Sequence, residues 1–144
     1  MNTAVCFNRL GILHEGTLAT ILAVDDDRGV LDLCQRILEL GGHEVLRANS
    51  GEDAIRLLES TVASIDLAIL DIIMPGMNGI QLAGRIRSMR SAAKIILMTG
   101  YSLREVQQIT GDDNPYRIIW KPFKADSLLR MIENSLADRN AASV

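Results

Sequence analysis

One repeating pattern leaves this chain a single class of fold. A short apolar run ends abruptly at a polar residue, a stripe of apolar residues at helical spacing follows, and the pair recurs along the chain. Ile21-Leu22-Ala23-Val24 stops at Asp25-Asp26-Asp27, and Leu67-Ala68-Ile69-Leu70 stops at Asp71. The run from Lys94 to Met98 stops at Thr99-Gly100, and that from Arg117 to Trp120 at Lys121-Pro122; the segment from Glu44 to Ala48 is a weaker member. A strand with one wet face alternates apolar and polar residues, whereas an unbroken apolar run suits a strand covered by helices on both faces. The intervening stripes are Val30, Leu33, Cys34, Ile37 and Leu38, closed by Gly41-Gly42, then Ala54, Leu57 and Leu58 behind a Ser50–Asp53 capping pair. Ile80, Leu82, Ala83, Ile86 and Met89 mark a third helix after a loop with Pro75, Gly76 and Gly79. Leu103, Val106 and Ile109 mark a short fourth, a turn cluster runs from Gly111 to Pro115, and Leu128, Leu129, Ile132 and Leu136 mark a fifth. Strand-then-helix units in succession predict an α/β fold, a doubly wound five-stranded parallel sheet flanked by five helices.

Composition fits one such domain. The 144 residues, 48% hydrophobic and 23% charged, are enough for a single core, and with 3% aromatics that core must be aliphatic. A net charge of −3 gives no basic field for binding nucleic acid directly. Cys6 and Cys34 make neither a disulfide framework nor a metal site, and Cys34 reads as a buried free thiol on its helical stripe. No apolar run approaches the ~20 residues of a membrane span, and the N-terminus lacks a signal-peptide cleavage site. A cytoplasmic protein with no membrane partner is the expectation. Residues 1–17 show no usable period and read as an extension, 18–138 as the folded domain, and 139–144 as a small polar tail with no room for a second domain.

In an open parallel sheet, functional groups collect beyond the carboxyl ends of the strands. Those ends deliver Asp25 and Asp26, Asp71, Thr99 and Lys121 to one crevice. Two carboxylates ~4 Å apart repel by about 4 kcal/mol at an effective dielectric of 20, so three need compensation. Lys121 supplies one positive charge, and a hard divalent ion such as Mg²⁺, which takes carboxylate, water and phosphate oxygens, supplies the rest. A carboxylate in such a site can attack phosphorus while Lys121 and the Thr99 hydroxyl stabilise developing charge. Taken singly, an Asp after a strand is often a helix cap, Thr99 a turn hydroxyl and Lys121 a surface charge; the joint placement points to chemistry. Asp27 reads as a cap, His14 and His43 as non-functional, and Trp120 and the methionines as packing.

The motifs ILAVDDD (Ile21–Asp27), LDIIMPGMNG (Leu70–Gly79), LMTG (Leu97–Gly100) and WKPF (Trp120–Phe123) resemble the receiver domains of bacterial two-component response regulators over roughly Thr20 to Leu136. The resemblance implies a CheY-like, flavodoxin-like (βα)5 receiver fold with Asp71 as the phosphoacceptor. It implies that Asp26 and Asp71 bind Mg²⁺ directly, Asp25 through a bound water, and Ile73 through its backbone carbonyl. Thr99 and Lys121 would contact the phosphoryl oxygens, and Lys121–Pro122 would be cis. The phosphoryl donor would be a histidine kinase or phosphotransfer protein, and the output a contact with a target protein in trans. Such a domain is a phosphoacceptor that assists its own phosphorylation and dephosphorylation rather than an enzyme.

Four positions depart from the family pattern. Asn78 stands before Gly79 where Asp is usual, Gly100 replaces a common Ala, Ile118 occupies the place of an aromatic switch residue, and the segment from Leu103 to Asn114 is short for a fourth helix and its loop. The last two touch the family's output surface. Two rivals share parts of the pattern. A dehalogenase-type phosphotransferase needs a second Asp two residues after the nucleophile, where this chain has Ile73. A pseudo-receiver, an interaction module that is not phosphorylated, is the alternative reading, ranked second because all five key residues are present.

Overall fold

The computed structural model describes residues 4–7, 13–16, 18–112 and 114–138, with side chains from residue 18 onward. The side chains of Cys6 and His14, Asp113 of the turn cluster and the 139–144 tail therefore lie outside the described residues. The first two strands, β1 (Ala4–Phe7) and β2 (Leu13–Gly16), pair antiparallel as a separate hairpin sheet. No strand was expected within 1–17, so this hairpin corrects the reading of that segment as having no usable period. The five strands that follow are β3 (Thr20–Val24), β4 (Glu44–Ala48), β5 (Leu67–Asp71), β6 (Lys94–Thr99) and β7 (Arg117–Trp120), in spatial order β4-β3-β5-β6-β7. All neighbours are parallel, with Ile21 opposite Val45 and Leu67, and Thr99 opposite Trp120. The helices between them are α1 (Arg28–Leu40), α2 (Gly51–Ser60), α3 (Gly79–Met89), α4 (Leu103–Thr110) and α5 (Ala125–Ala137). The chain has the doubly wound α/β architecture that its pattern predicts.

Strand alternation sorts the core into two layers. Leu22, Val24, Ala68, Leu70, Ile95 and Leu97 pack under residues of α2, α3 and α4, while Ile21, Leu67, Ile69, Ile96, Met98 and Ile119 pack under α1 and α5. Successive side chains of a strand point to opposite faces, so a strand covered on both sides must be apolar at every position. The largest fully buried side chains are Ile and Leu, as the scarcity of aromatics requires.

Polar side chains cap the starts of α1 to α4, whereas α5 begins after Lys124 with no side-chain cap. Asp27 accepts from the backbone N–H groups of Gly29 (2.8 Å) and Val30 (3.3 Å) at the start of α1, which makes it a cap. Ser50 accepts from Asp53 N–H at 3.0 Å for α2. Asn78 and Gln81 form a reciprocal box at α3, and Ser102 and Glu105 another at α4. Each such cap is worth ~1 kcal/mol and sets where a loop ends.

Two stripes differ from their expected faces. In α1 the core takes Leu31, Cys34, Ile37 and Leu38, while Leu33 is 49% exposed. In α4 only Val106 is buried, with Leu103 and Ile109 exposed. A helical stripe fixes the period but leaves its phase to the sheet it meets. His43, expected to have no role in chemistry, is buried and accepts the Ala19 backbone N–H on Nδ1 at 3.1 Å, a structural tie beside β3.

Candidate functional site

The carboxyl ends of β3, β5, β6 and β7 converge, and each delivers the side chain that its run stopped at. Asp25 follows β3, Asp71 ends β5, Thr99 ends β6 and Lys121 follows β7. Asp25, Asp71 and Thr99 are buried, and Asp26 is exposed at the rim. One carboxylate oxygen from each of Asp25, Asp26 and Asp71 can be chosen so that all lie within 4.8 Å of one another. Asp26, Asp71, Ile73, Gly100, Tyr101 and Lys121 line an open pocket of about 590 Å³, together with Met74 and Pro75. Asp25 belongs to the acid cluster without lining this pocket, and Thr99 ends β6 one residue before Gly100 of the lining.

Lys121 is shared unequally. Its Nζ donates to Asp25 Oδ2 at 2.7 Å and lies 3.5 Å from Asp71 Oδ1. Asp25 Oδ1 accepts the Asp27 backbone N–H at 2.9 Å, so both Asp25 oxygens already have partners. Asp71 is the acid left short of positive charge. Burial, and next the charge of Asp25, push its carboxyl up from 3.8 to about 7, with Lys121 acting against the rise. Burial pulls the Lys121 ammonium down, but its bonds to Asp25 and Asp71 outweigh this and hold it above the ordinary lysine range. A site with three acids and one base, in which a buried aspartate resists ionising, is short of one cation.

The backbone around Asp71 is held tightly. Ile72 N–H donates to Met98 O and Gly79 N–H to Ile72 O, each at 2.9 Å. A Cβ on Gly79 would stand 2.2 Å from the Asp71 carbonyl oxygen, so the chain needs glycine there for close approach. Lys121–Pro122 is cis, as the resemblance implies.

Two site features escaped sequence reasoning. Trp120, expected to pack, is 42% exposed and donates its indole N–H to the Tyr101 carbonyl at 3.1 Å. Its signal was the indole itself, an apolar ring with a polar N–H that takes a hydrogen-bond partner. Tyr101 N–H in turn donates to Thr99 Oγ1 at 3.0 Å. Ile118 packs against the core layer under α2 and α3, as does Tyr116, whose ring lies 6.0 Å from the Arg87 guanidinium carbon. Of Tyr116 and Trp120, the one nearer the site by register is thus Trp120, opposite Thr99.

Comparison with known proteins agrees with this geometry. The family model described as the response regulator receiver domain matches residues 21–133. The response regulator protein FleR of Pseudomonas aeruginosa is 37% identical over 116 residues, which cover 79% of this chain and 24% of FleR. The uncharacterized transcriptional regulatory protein YrkP of Bacillus subtilis is 37% identical over 110 residues, covering 75% of this chain and 45% of YrkP. The chain thus spans between a quarter and a half of the length of these curated relatives. Among solved structures, a CheY-like receiver domain protein from Methanospirillum hungatei superposes with a TM-score of 0.70 at 33% identity, covering 83% of this chain and 94% of that one. The response regulator TrrA of Thermotoga maritima, solved in complex with Mg²⁺ and BeF, gives 0.68 at 34% identity over 81% of this chain and 97% of its own. The doubly wound sheet, the acids at its strand ends and these matches have one reading: the chain belongs to the family of response regulator receiver domains.

Proposed function

We propose that this chain is a single-domain response regulator of a two-component phosphorelay, which accepts a phosphoryl group on Asp71 with Mg²⁺ and signals by protein contact. The observation that carries this reading is the buried Asp71 carboxylate at the end of β5, with Asp25, Asp26 and Lys121 converging on it. In the reaction an Asp71 oxygen forms a bond to phosphorus as the donor's phosphorus–nitrogen bond breaks, and the donor imidazole leaves with the bonding pair. The Lys121 ammonium and the Thr99 hydroxyl hold phosphoryl oxygens as charge shifts onto them. The donor set suits Mg²⁺: carboxylates of Asp25, Asp26 and Asp71 with the Ile73 carbonyl, all oxygen. Asp26 and Asp71 would hold the ion directly and Asp25 through a bound water, as the receiver family implies. When bound, Mg²⁺ supplies the positive charge that lets Asp71 ionise near neutral pH.

The receiver is residues 18–138, with 1–17 as an extension and 139–144 as a tail. The phosphoryl donor is a histidine kinase or phosphotransfer protein, and the output is a target protein contacted in trans. No direct nucleic-acid binding is part of this reading, given the net charge of −3. Nor is a membrane, since no described helix is long and apolar enough to cross one, and the location is cytoplasmic. With Ile118 packed in the core layer, no aromatic sweep along β7 operates, and the change passes through the loop from Thr99 to Ser102 and α4. The test is labelling from a small acyl-phosphate donor with Mg²⁺: wild type takes up one phosphoryl group and Asp71→Asn takes up none. Equal labelling of the two would sink the assignment, and no labelling of wild type from any donor would make the chain a pseudo-receiver.

A further inference from the structure

The loop from Thr99 to Ser102 forms one side of the Asp71 pocket and depends on hydrogen bonds for its shape. At its start, Thr99 Oγ1 accepts the Tyr101 N–H at 3.0 Å. At its end, Ser102 and Glu105 close the capping box of α4. Nothing lies within 4 Å of where a Cβ on Gly100 would stand, so the loop has no packing at that point. The tie at its middle comes from a different strand: the Trp120 indole N–H donates to the Tyr101 carbonyl at 3.1 Å. The next residue, Lys121, donates its backbone N–H to Thr99 O at 2.7 Å and turns its ammonium to Asp25 and Asp71. Two consecutive residues at the end of β7 therefore hold the loop and reach the acids.

Packing does not account for the indole. Trp120 is 42% exposed, and Tyr101, which it bonds, is 45% exposed and lines the pocket. A large apolar ring kept half in water contributes little burial, so what distinguishes tryptophan here from another aromatic is its N–H.

We propose that Trp120 is a positioning residue whose indole N–H holds Tyr101 at the mouth of the Asp71 pocket and so sets the lifetime of the phosphoryl group. This rests on reading Asp71 as the phosphoacceptor. In the loss reaction a water oxygen bonds to phosphorus and the bond from phosphorus to the Asp71 oxygen breaks. The bonding pair returns to the carboxylate, and inorganic phosphate leaves with one water proton while the other passes to solvent. Ile73 carries no polar group to orient that water, and a Tyr101 ring held at the rim narrows its approach. Freeing the Tyr101 carbonyl lets the rim open.

The experiment labels the full chain with a small acyl-phosphate donor and Mg²⁺, removes the donor, and follows loss of the phosphoryl group. Trp120→Phe keeps a ring and removes the N–H, and it should lose the group about fivefold faster than wild type, the factor that ~1 kcal/mol of barrier carries. Tyr101→Ala should speed loss at least as much, and the double variant should be no faster than Tyr101→Ala alone, since the two act as one unit. A Trp120→Phe variant with the wild-type rate, or a double variant whose effect is the product of the two singles, overturns the proposal. Wild type that never takes label overturns the reading of Asp71 itself, and this proposal with it. A second measurement needs no variant and no phosphoryl group. The chain has one tryptophan, so its indole N–H is a single NMR signal, expected to exchange with water slowly; exchange at the rate of an unbonded indole also overturns the proposal.

Discussion

Replacing Asp71 with Asn keeps the side chain's shape and deletes the charge that its surroundings oppose. The Asp71 side chain is 9% exposed, and Lys121 Nζ sits 3.5 Å from it but 2.7 Å from Asp25. Burial, and then the Asp25 charge, raise its carboxyl from 3.8 to about 7. The native state therefore keeps its proton up to about pH 7, whereas the unfolded chain releases it near 3.8. Between these values the native state binds more protons, so unfolding free energy falls as pH rises, and the penalty is complete above about 7. Each pH unit of separation is worth ~1.4 kcal/mol, and the separation of roughly three units sets a ceiling of about 4 kcal/mol. Local relaxation and salt screening lower this, so Asp71→Asn should be about 2–4 kcal/mol more stable than wild type at pH 8.5 in chelator, and nearly equal to it at pH 4. Urea unfolding at pH 4, 5.5, 7 and 8.5 measures the difference, in which titrating groups remote from Asp71 cancel. Mg²⁺ should close the gap by stabilising wild type more, ~2.7 kcal/mol at a hundredfold excess over its Kd. A difference that stays flat from pH 4 to 8.5, or an Asn variant that is the less stable at pH 8.5, would refute the account of Asp71 as a buried acid short of positive charge.

Three further outcomes follow from the same geometry. Gly79→Ala would place a Cβ 2.2 Å from the Asp71 carbonyl and 2.9 Å from Ile72 Cα; it should cost about 2–4 kcal/mol in urea unfolding and reduce labelling at Asp71, and an unchanged midpoint would contradict it. Asp26→Ala should weaken Mg²⁺ binding at least tenfold in a titration while leaving stability in chelator unchanged or higher, because the exposed Asp26 adds to the repulsion; equal affinity would reduce Asp26 to a bystander. Burial, and next the Asp25 charge, push the Cys34 thiol up to about 11, so peptide mapping after a thiol reagent at pH 8 should find Cys34 unmodified in the native chain and modified in urea, and rapid native modification would be inconsistent with its burial.

The strand–helix alternation and the five site residues could be read from local pattern because both are short-range properties. Leu67–Leu70 is apolar at every position since both its faces are covered, and Asp71 shows itself by ending that run. Parallel strands place all such endings on one edge, so the run-ending residues of Ile21–Val24, Leu67–Leu70, Lys94–Met98 and Arg117–Trp120 had to meet. Where a residue's role depends on a partner distant along the chain, pattern had nothing to offer. Whether Leu31 or Leu33 enters the core depends on how α1 is rotated against the sheet, and a stripe of fixed period fits more than one rotation. That Lys121 bonds Asp25 in preference to Asp71 depends on distances of 2.7 Å and 3.5 Å set by three strands at once. Trp120 reaches the Tyr101 carbonyl only because β6 and β7 pair with Thr99 opposite Trp120. Periodicity is written residue by residue, whereas charge sharing and side-chain partners arise from register and helix rotation, which exist only once the chain is folded.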